Sequence, residues 1–137
     1  MIKSRVVLLN SFNDVRGCLL PMEFGHMCPF TPQRVFTVTG VPKGTRRGGH
    51  AHKWTEQLLV CIAGRIGYEL QDGEDKVSGE LRPNQCIWIP RMIWDSQVFY
   101  STKDVLLVLC NLPYDEKDYI RDFDEYLRWW KNGGSLE

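Results

Sequence analysis

Two of the three histidines in the chain lie one residue apart, in the stretch RRGGHAHKWTE that runs from Arg46 to Glu56. Side chains two positions apart in a β-strand point to the same face, so we expect His50 and His52 to project together. An imidazole can transfer a proton near neutral pH and can also bind a metal. Burying two imidazoles is costly unless each ring is hydrogen-bonded. The pattern therefore favours a functional pair, as acid/base groups or as metal ligands, over two structural histidines.

Short strand-like segments surround this pair and must position it. Seven of them are separated by polar or proline-containing turns: Arg5–Asn10, Cys18–Phe24, Gln33–Thr39, Glu56–Gly64, Gln85–Pro90, Trp94–Tyr100 and Asp104–Asn111. Another segment, residues 65–76, contains Asp72 followed by Gly73, which is a strong hairpin signal. Strands that recur at roughly 8–12-residue spacing indicate an all-β sandwich or barrel.

Only the C-terminal part of the chain changes to a helical period. Apolar side chains at spacings of three and four residues would form one helix face: Phe123, Tyr126, Leu127 and Trp130. Asp122 and Asp124 fall in the first turn, where carboxylates are favourable. The pattern predicts a short C-terminal α-helix packed on the β-structure.

Length, charge and cysteine content limit the classes of protein that fit. The 137 residues suffice for one domain, which we place at residues 1–131, with 132–137 as a disordered tail or expression-vector remnant. Lys and Arg number 17, as do Asp and Glu, so bulk charge attracts neither nucleic acid nor membrane. The longest apolar run, Val105–Cys110, is too short to span a bilayer. Five cysteines without a C-x-x-C pair and without a signal peptide favour a cytoplasmic protein with reduced thiols.

The histidine pair also belongs to a longer motif. The first motif of the cupin superfamily, G-x5-H-x-H-x3-E-x6-G, is matched by Gly44, His50, His52, Glu56 and Gly64, with the last gap one residue longer. The resemblance implies a small, jelly-roll-like β-barrel. In many cupins the histidines and the glutamate bind a metal together with a histidine of a second motif, where this chain has Asp95. If iron, manganese or zinc binds, the resemblance gives His50, His52, Glu56 and Asp95 as the ligands.

Longer stretches resemble a narrower group, the bacterial dTDP-4-keto-6-deoxyglucose 3,4-ketoisomerases, which are WxcM-like sugar ketoisomerases of the cupin superfamily. The stretches follow the family order: Asp14–Phe24, Pro29–Phe36, Arg47–Lys53, Gln57–Gly64, Asp104–Asn111 and Pro113–Tyr126. The resemblance implies a homodimer with exchanged N-terminal strands that works without a metal or other cofactor. Its substrate would be a dTDP-linked keto-deoxysugar, whose carbonyl moves from C4 to C3 in the synthesis of deoxysugars for surface polysaccharides.

The resemblance also assigns roles to the histidines. His50 takes the position of the base that removes the C3 proton, and His52 that of its partner in proton transfer or orientation. The C3 proton lies α to the C4 ketone, so a base with a pKa near 6.5 suits its removal at neutral pH. The resulting enediolate is reprotonated at C4, and no redox cofactor is required.

Three arginines and one tryptophan are candidates for binding the substrate. Arg47 immediately precedes the pair and can hold a diphosphate with a bidentate geometry that lysine lacks. Arg16 and Arg34 lie in family-matching stretches, and a surface ion pair is the alternative for each of them. Trp94 is a candidate for lining the sugar or base pocket.

Two pocket positions depart from the family pattern. Phe36 replaces a tyrosine to which proton transfer is attributed, so that role is lost or passes to Thr37, Tyr68 or a water. Asp95 replaces a histidine, and a carboxylate there would repel a diphosphate unless it is protonated, paired with an arginine or bound to a metal. We place Phe36, Thr37 and Asp95 among the substrate-binding residues.

These departures leave two alternatives to a ketoisomerase. The first is a cupin accessory protein that binds a nucleotide sugar without turnover. The second is a metal-dependent cupin enzyme, such as an oxygenase or an epimerase-like lyase.

Overall fold

The computed structural model describes residues 1–135, which form twelve short strands and one α-helix. The strands are β1 (Val6–Leu8), β2 (Phe12–Asp14), β3 (Gly17–Leu19), β4 (Arg34–Val38), β5 (Arg46–His52), β6 (Gln57–Ala63), β7 (Ile66–Gln71), β8 (Lys76–Leu81), β9 (Gln85–Ile89), β10 (Trp94–Phe99), β11 (Val105–Cys110) and β12 (Tyr119–Ile120). A 3₁₀ turn, Glu116–Asp118, precedes β12, and helix α1 (Phe123–Lys131) follows it. The predicted all-β class with a C-terminal helix is confirmed. No helix within residues 1–135 has the length and apolarity to cross a membrane.

Two five-stranded antiparallel sheets form the body of the molecule. One has the order β1-β9-β6-β11-β4 and the other β12-β5-β10-β7-β8. Their facing sides enclose the main core, with side chains such as Leu59, Ile87, Leu70 and Phe99. Within the described residues no ladder joins the two sheets, so the predicted cupin-like fold is present as a two-sheet jelly roll and not as a closed barrel.

The N-terminal strands are shorter than the sequence pattern predicts. β1 pairs only with β9, and β2 with β3 forms a separate two-stranded ribbon. The segment predicted as Cys18–Phe24 leaves the ribbon at Leu19, two residues before Pro21, whose ring removes a backbone donor. Phe12 and Leu19 on this ribbon are 65% and 64% exposed. The ribbon therefore carries apolar surface outside the core.

Helix α1 covers the outer face of the second sheet. Asp122 caps its N-terminus by accepting hydrogen bonds from the backbone N–H groups of Asp124 and Glu125. Tyr126 and Trp129 are its buried side chains, and the Tyr126 hydroxyl donates to the carbonyl oxygen of Met92 at 2.7 Å. The predicted face of Phe123, Tyr126, Leu127 and Trp130 packs in this layer, and Trp129, which lay outside the prediction, is buried there as well.

The hairpin between β7 and β8 confirms the signal at Asp72 and Gly73. Its loop has four residues, and the Asp72 carboxylate accepts hydrogen bonds from the backbone N–H groups of Glu74 and Asp75. Gly73 lies directly beneath the indole of Trp130, where a Cβ atom would overlap the ring. The backbone N–H groups of Gly133 and Gly134 then donate back to α1, so residues 132–135 close the helix as a turn. Residues 136–137 of the predicted tail lie outside the described part of the chain.

Candidate active site

His52 is held by a buried carboxylate from the other end of the chain. Its Nδ1 lies 2.7 Å from Oδ2 of Asp118, and both side chains are buried. The other oxygen of Asp118 accepts hydrogen bonds from the backbone N–H groups of Trp54 and Thr55, at 2.6 and 3.3 Å. Burial alone would raise the pKa of Asp118, but the hydrogen bonds from His52, Thr55 and Trp54 outweigh it and keep that pKa well below its usual range.

An ionised Asp118 can only accept a hydrogen bond, so the facing Nδ1 of His52 carries a hydrogen. In the neutral ring Nε2 is then an acceptor, and it has no hydrogen-bond partner within residues 1–135. This geometry, with a carboxylate behind the imidazole and a free nitrogen in front, fixes one tautomer and prepares Nε2 for proton transfer.

His50 lies on the same face of β5 as His52, as the two-residue spacing predicts. The ring centroids are 5.0 Å apart, with the rings nearly perpendicular. Burial, followed by the charge effects of His52 and Arg121, lowers the pKa of His50 to about 4. The pKa of His50 is thus lower than the ordinary value near 6.5, and the ring is neutral near pH 7.

Two glycines before the pair allow Arg47 and His50 to share one face. Residues three positions apart in a regular strand point to opposite faces, yet both of these side chains line the same cavity. Gly48 and Gly49 have φ angles of 81° and 76°, and the register of β5 against β10 shifts at this point. The irregularity is a β-bulge that re-aims the strand, which left-handed backbone at two glycines permits.

The cavity between the sheets has a volume of about 80 Å³. Its polar lining comes from Arg47, His50, Gln57, Asp95 and Gln97, and its apolar lining from Phe36, Val38, Leu59, Phe99, Leu106 and Val108. A space of this size holds on the order of two or three waters. It can take the reacting end of a small ligand, whereas a larger ligand must extend past exposed Arg47 and Gly48 at its mouth.

Asp95 is the second departure from the family pattern and lies deep in this cavity. It is 1% exposed, and its Cα pairs with that of His50 across β10 and β5. Gln97 Nε2 donates to its Oδ2 at 2.6 Å, whereas Oδ1 has no hydrogen-bond partner among the described residues. Burial raises the pKa of Asp95 to about 6, against the opposing effects of His52 and Gln97.

Arg34 lies beside the histidines within a group of aromatic rings. Its guanidinium is 4.7 Å from the ring centre of Phe36 and 5.1 Å from that of Tyr114, and it donates a hydrogen bond to the Tyr119 hydroxyl at 3.3 Å. The Tyr119 ring lies 5.0 Å from His50 and 4.5 Å from His52, between centroids. Arg34 therefore contacts Tyr119, whose ring packs against both histidines, and its role in binding a substrate stays a prediction.

Four of the predicted substrate-binding residues do not line the cavity: Arg34, described above, and Arg16, Thr37 and Trp94. His52, predicted as catalytic, does not line it either. Arg16 lies on the β2–β3 ribbon, where its 86% exposed side chain pairs with Asp14, the surface ion pair given as its alternative. Thr37 is exposed because it alternates with Phe36 on β4. Trp94 faces outward, 5.1 Å from the ring of Phe123 on α1, and packs in the helix–sheet layer.

The residues considered as metal ligands are not gathered around one point. Glu56 accepts hydrogen bonds from Trp88 Nε1 at 3.0 Å and Asn111 Nδ2 at 3.5 Å. Within residues 1–135 no group of three or more His, Cys, Asp or Glu side chains has the geometry to hold a metal ion. Glu56 instead connects β6 to the end of β11 through Asn111.

Asp118, Tyr119 and Gln97 belong to the site but were missed as functional residues. Asp118 and Tyr119 lie within the stretch Pro113–Tyr126 that carried the family resemblance, and β12 places them against β5. Gln97 follows Asp95 by two residues and so shares its face. That alternation could have indicated Gln97, whereas the contact from Asp118 to His52 spans 66 residues and had no local signal.

A substitution at the bulge tests how tightly β10 is packed against the site. A Cβ on Gly48 would lie 3.0 Å from the Asp95 carbonyl oxygen, whereas one on Gly49 would have no atom within 4 Å. Both glycines have similar positive φ angles, so alanine is strained by about 1–3 kcal/mol at either position. We expect Gly48→Ala to lower the melting temperature and any activity more than Gly49→Ala. Equal losses of melting temperature and activity in the two variants would show that β10 shifts easily to accommodate the added Cβ atom.

Comparisons with known proteins place this site in a family. The family model described as FdtA: WxcM-like, C-terminal matches residues 2–131. The TDP-4-oxo-6-deoxy-alpha-D-glucose-3,4-oxoisomerase of Aneurinibacillus thermoaerophilus is 30% identical over 131 residues, 93% of each chain.

Solved structures of similar proteins agree with that family. QdtA, a sugar 3,4-ketoisomerase from Thermoanaerobacterium thermosaccharolyticum in complex with TDP, superposes with a TM-score of 0.90 at 32% identity, over 97% of this chain and 98% of that one. A 3,4-ketoisomerase from Helicobacter canadensis gives 0.89 at 33% identity, over 96% and 99%. The predicted membership is confirmed: the chain belongs to the FdtA, WxcM-like C-terminal family.

Proposed function

We propose that this protein is a 3,4-ketoisomerase that moves the carbonyl of a dTDP-4-keto-6-deoxyhexose from C4 to C3. The observation that carries the proposal is the histidine pair on β5. His50 is neutral and lines the cavity, and Asp118 orients His52 so that its unpartnered Nε2 can accept a proton. The relatives at 30–33% identity that act on TDP-linked keto sugars or are named 3,4-ketoisomerases support the same assignment.

The reaction needs the two groups that this pair supplies. His50 removes the hydrogen at C3, which is acidic because it lies α to the C4 ketone, and His52 assists as a partner in proton transfer or orientation. A positioned acid/base group contributes about 10²–10⁴-fold to such a step. The proposal needs no redox cofactor, because the isomerisation moves protons within one molecule and leaves its oxidation state unchanged.

Two arginines near the cavity are suited to the nucleotide part of the substrate. Arg47 stands exposed at the cavity mouth, and Arg34 is held among Phe36, Tyr114 and Tyr119. Guanidinium groups bind phosphate oxygens in a bidentate manner. The cavity is too small for a whole nucleotide sugar, so the diphosphate would lie outside it, within reach of these arginines.

Proton exchange in deuterated water tests the proposed function. The protein is incubated with dTDP-4-keto-6-deoxyglucose and with other 4-keto nucleotide sugars, and the sugar signals are followed by NMR. We expect loss of the C3 hydrogen signal and appearance of a 3-keto product. If the sugars raise the melting temperature but are recovered without deuterium, the protein is a binding module without turnover.

We also propose that the protein forms a homodimer through its N-terminal strands. The apolar side chains of Leu8, Phe12 and Leu19 are more than 60% exposed, and the β2–β3 ribbon belongs to neither sheet. Exposed apolar surface of this kind is typical of an interface. Sedimentation should give twice the mass of the chain, and Phe12→Asp combined with Leu19→Asp should shift it toward monomer. A monomeric wild-type protein would contradict the proposal.

A further inference from the structure

We propose that the Asp95 carboxyl group carries the proton that passes between the two sugar oxygens during isomerisation. The inference rests on the proposed function and deepens it. A 3,4-ketoisomerase must move two hydrogens: one from C3 to C4, and one from the hydroxyl oxygen at C3 to the former carbonyl oxygen at C4. The histidine pair accounts for the first transfer, and Asp95 for the second.

The position of Asp95 makes its free oxygen available to a molecule in the cavity. Because the Cα atoms of Asp95 and His50 are paired across the ladder, both side chains project from one face of the sheet. Both line the cavity. Gln97 occupies Oδ2 and orients the carboxyl group, whereas buried Oδ1 has no hydrogen-bond partner within residues 1–135. A buried polar atom without a partner is costly, and a sugar hydroxyl or carbonyl would satisfy it.

The rest of the cavity lining has no other group for the oxygen transfer. Phe36 lines the cavity without a polar side-chain atom, the Arg47 guanidinium offers only hydrogen-bond donors, and the Gln57 and Gln97 amides do not titrate. His50 is already assigned to the proton transfer from C3 to C4. Asp95 is therefore the titratable group left in the lining, and it lies in the same cavity as Phe36, which lacks a phenol hydroxyl.

Burial suits the carboxyl group for this task. It raises the pKa of Asp95 to about 6, and His52 is the charged or titratable neighbour that opposes the shift. The raised pKa makes the protonated form of Asp95 accessible near pH 6, and in that form the carboxyl group does not repel a diphosphate and can donate a hydrogen bond from Oδ1. After donation it becomes a carboxylate that can take a proton back from a sugar hydroxyl.

The proton balance closes without any added reagent. His50 takes the hydrogen at C3, the electron pair forms the C3–C4 double bond, and the C4 oxygen takes the proton of Asp95 Oδ1. Asp95, now ionised, removes the hydrogen from the C3 oxygen, whose electrons form the new carbonyl. C4 then takes the proton held by the histidine pair. Both His50 and Asp95 return to their starting states, and one C–H and one O–H hydrogen have moved.

A single variant tests the inference by separating the proton transfer at the carbon atoms from the proton transfer between the two oxygens. Asp95→Asn keeps the shape and can donate a hydrogen bond to the enolate oxygen, but it cannot give up and regain a proton. We expect the variant to retain exchange of the C3 hydrogen with deuterated water, at a rate reduced far less than product formation, because the amide can still stabilise the enolate oxygen. Formation of the 3-keto product should fall by roughly 10²-fold or more, the size of a lost acid/base group. Melting temperature and TDP binding are measured alongside to show that the fold is kept.

Other outcomes would overturn the inference. Product formation unchanged in Asp95→Asn would show that another group moves the oxygen proton. A parallel loss of exchange and product would show that Asp95 only maintains the site. Absence of exchange in the wild-type protein would contradict the proposed function itself and, with it, this role for Asp95. That outcome can be told apart from a failure of the Asp95 inference alone, because it appears before any substitution is made. Adding Phe36→Tyr to Asp95→Asn should restore part of the product, since it returns a phenol to the same cavity.

Discussion

Replacing His50 with asparagine is expected to abolish exchange of the C3 hydrogen while leaving the fold intact. The asparagine amide cannot accept a proton from carbon, and no other base lies at that place on β5. The loss should be at least about 10²–10⁴-fold, the usual contribution of a positioned acid/base group. Stability should change little, because Nδ1 of the half-buried ring has no partner within residues 1–135 and asparagine can replace the ring's hydrogen bond to the backbone of Gly48.

His26 offers a matched control for this substitution. It is exposed, lies outside the cavity lining, and is the only other histidine of the chain. His26→Asn should retain wild-type exchange and melting temperature. Retention of exchange in His50→Asn would contradict the assignment of His50 as the base, and the wild-type rate would then have to come from His52.

Replacing Asp118 with asparagine is the second substitution expected to have a large effect. Its carbonyl oxygen can still accept from the backbone N–H groups of Trp54 and Thr55, which places its NH₂ group against Nδ1 of His52. Nδ1 then becomes an acceptor and the ring hydrogen moves to Nε2. The nitrogen without a hydrogen-bond partner within residues 1–135 is thus changed from acceptor to donor. We expect kcat to fall by about 10²–10⁴-fold with little change in KM, since Asp118 acts through His52 and does not touch the substrate.

The pH dependence of the free energy of unfolding distinguishes this positioning role of Asp118 from a purely catalytic one. The folded-state pKa of Asp118 is lower than that of an exposed aspartate, so its carboxylate stabilises the fold above pH 4 and loses this contribution as the pH falls further. Asp118→Asn should therefore be less stable than the wild type at neutral pH, by about 1–3 kcal/mol, and the gap should narrow in acid. Asp115→Asn is the control, because Asp115 is exposed three residues earlier. Equal kcat in the two variants would contradict the positioning role.

The sequence could predict the parts of the site that depend on short-range geometry. The common face of His50 and His52 follows from the two-residue period of a strand. Trp94 and Asp95 show the limit of prediction from the strand period alone. Adjacent residues on a strand must face opposite ways, but the second sheet is covered on both faces. Both residues were predicted to bind substrate, yet only Asp95 lies in the cavity, whereas Trp94 lies under α1.

Residues that reach the site from a distance could not be assigned for a different reason. The stretch around Asp118 identified the family, yet its chemical role depends on β12 pairing with β5, which joins segments far apart in the chain. Arg16 shows the converse, since a residue within a matching stretch lies on a ribbon outside both sheets. Stretches that match the family thus contained both Asp118 and Arg16. Only the tertiary fold shows that Asp118 lies at the site and Arg16 outside it.

The pairing of β12 with β5 has a consequence for how the protein acquires activity during synthesis. Until β12 emerges from the ribosome, β5 is the outer strand of its sheet, with open hydrogen-bonding groups that invite pairing with other chains. The same late segment brings Asp118 to His52. We therefore expect a nascent or prematurely ended chain to lack the Asp118–His52 contact and to be prone to aggregation until β12 pairs with β5.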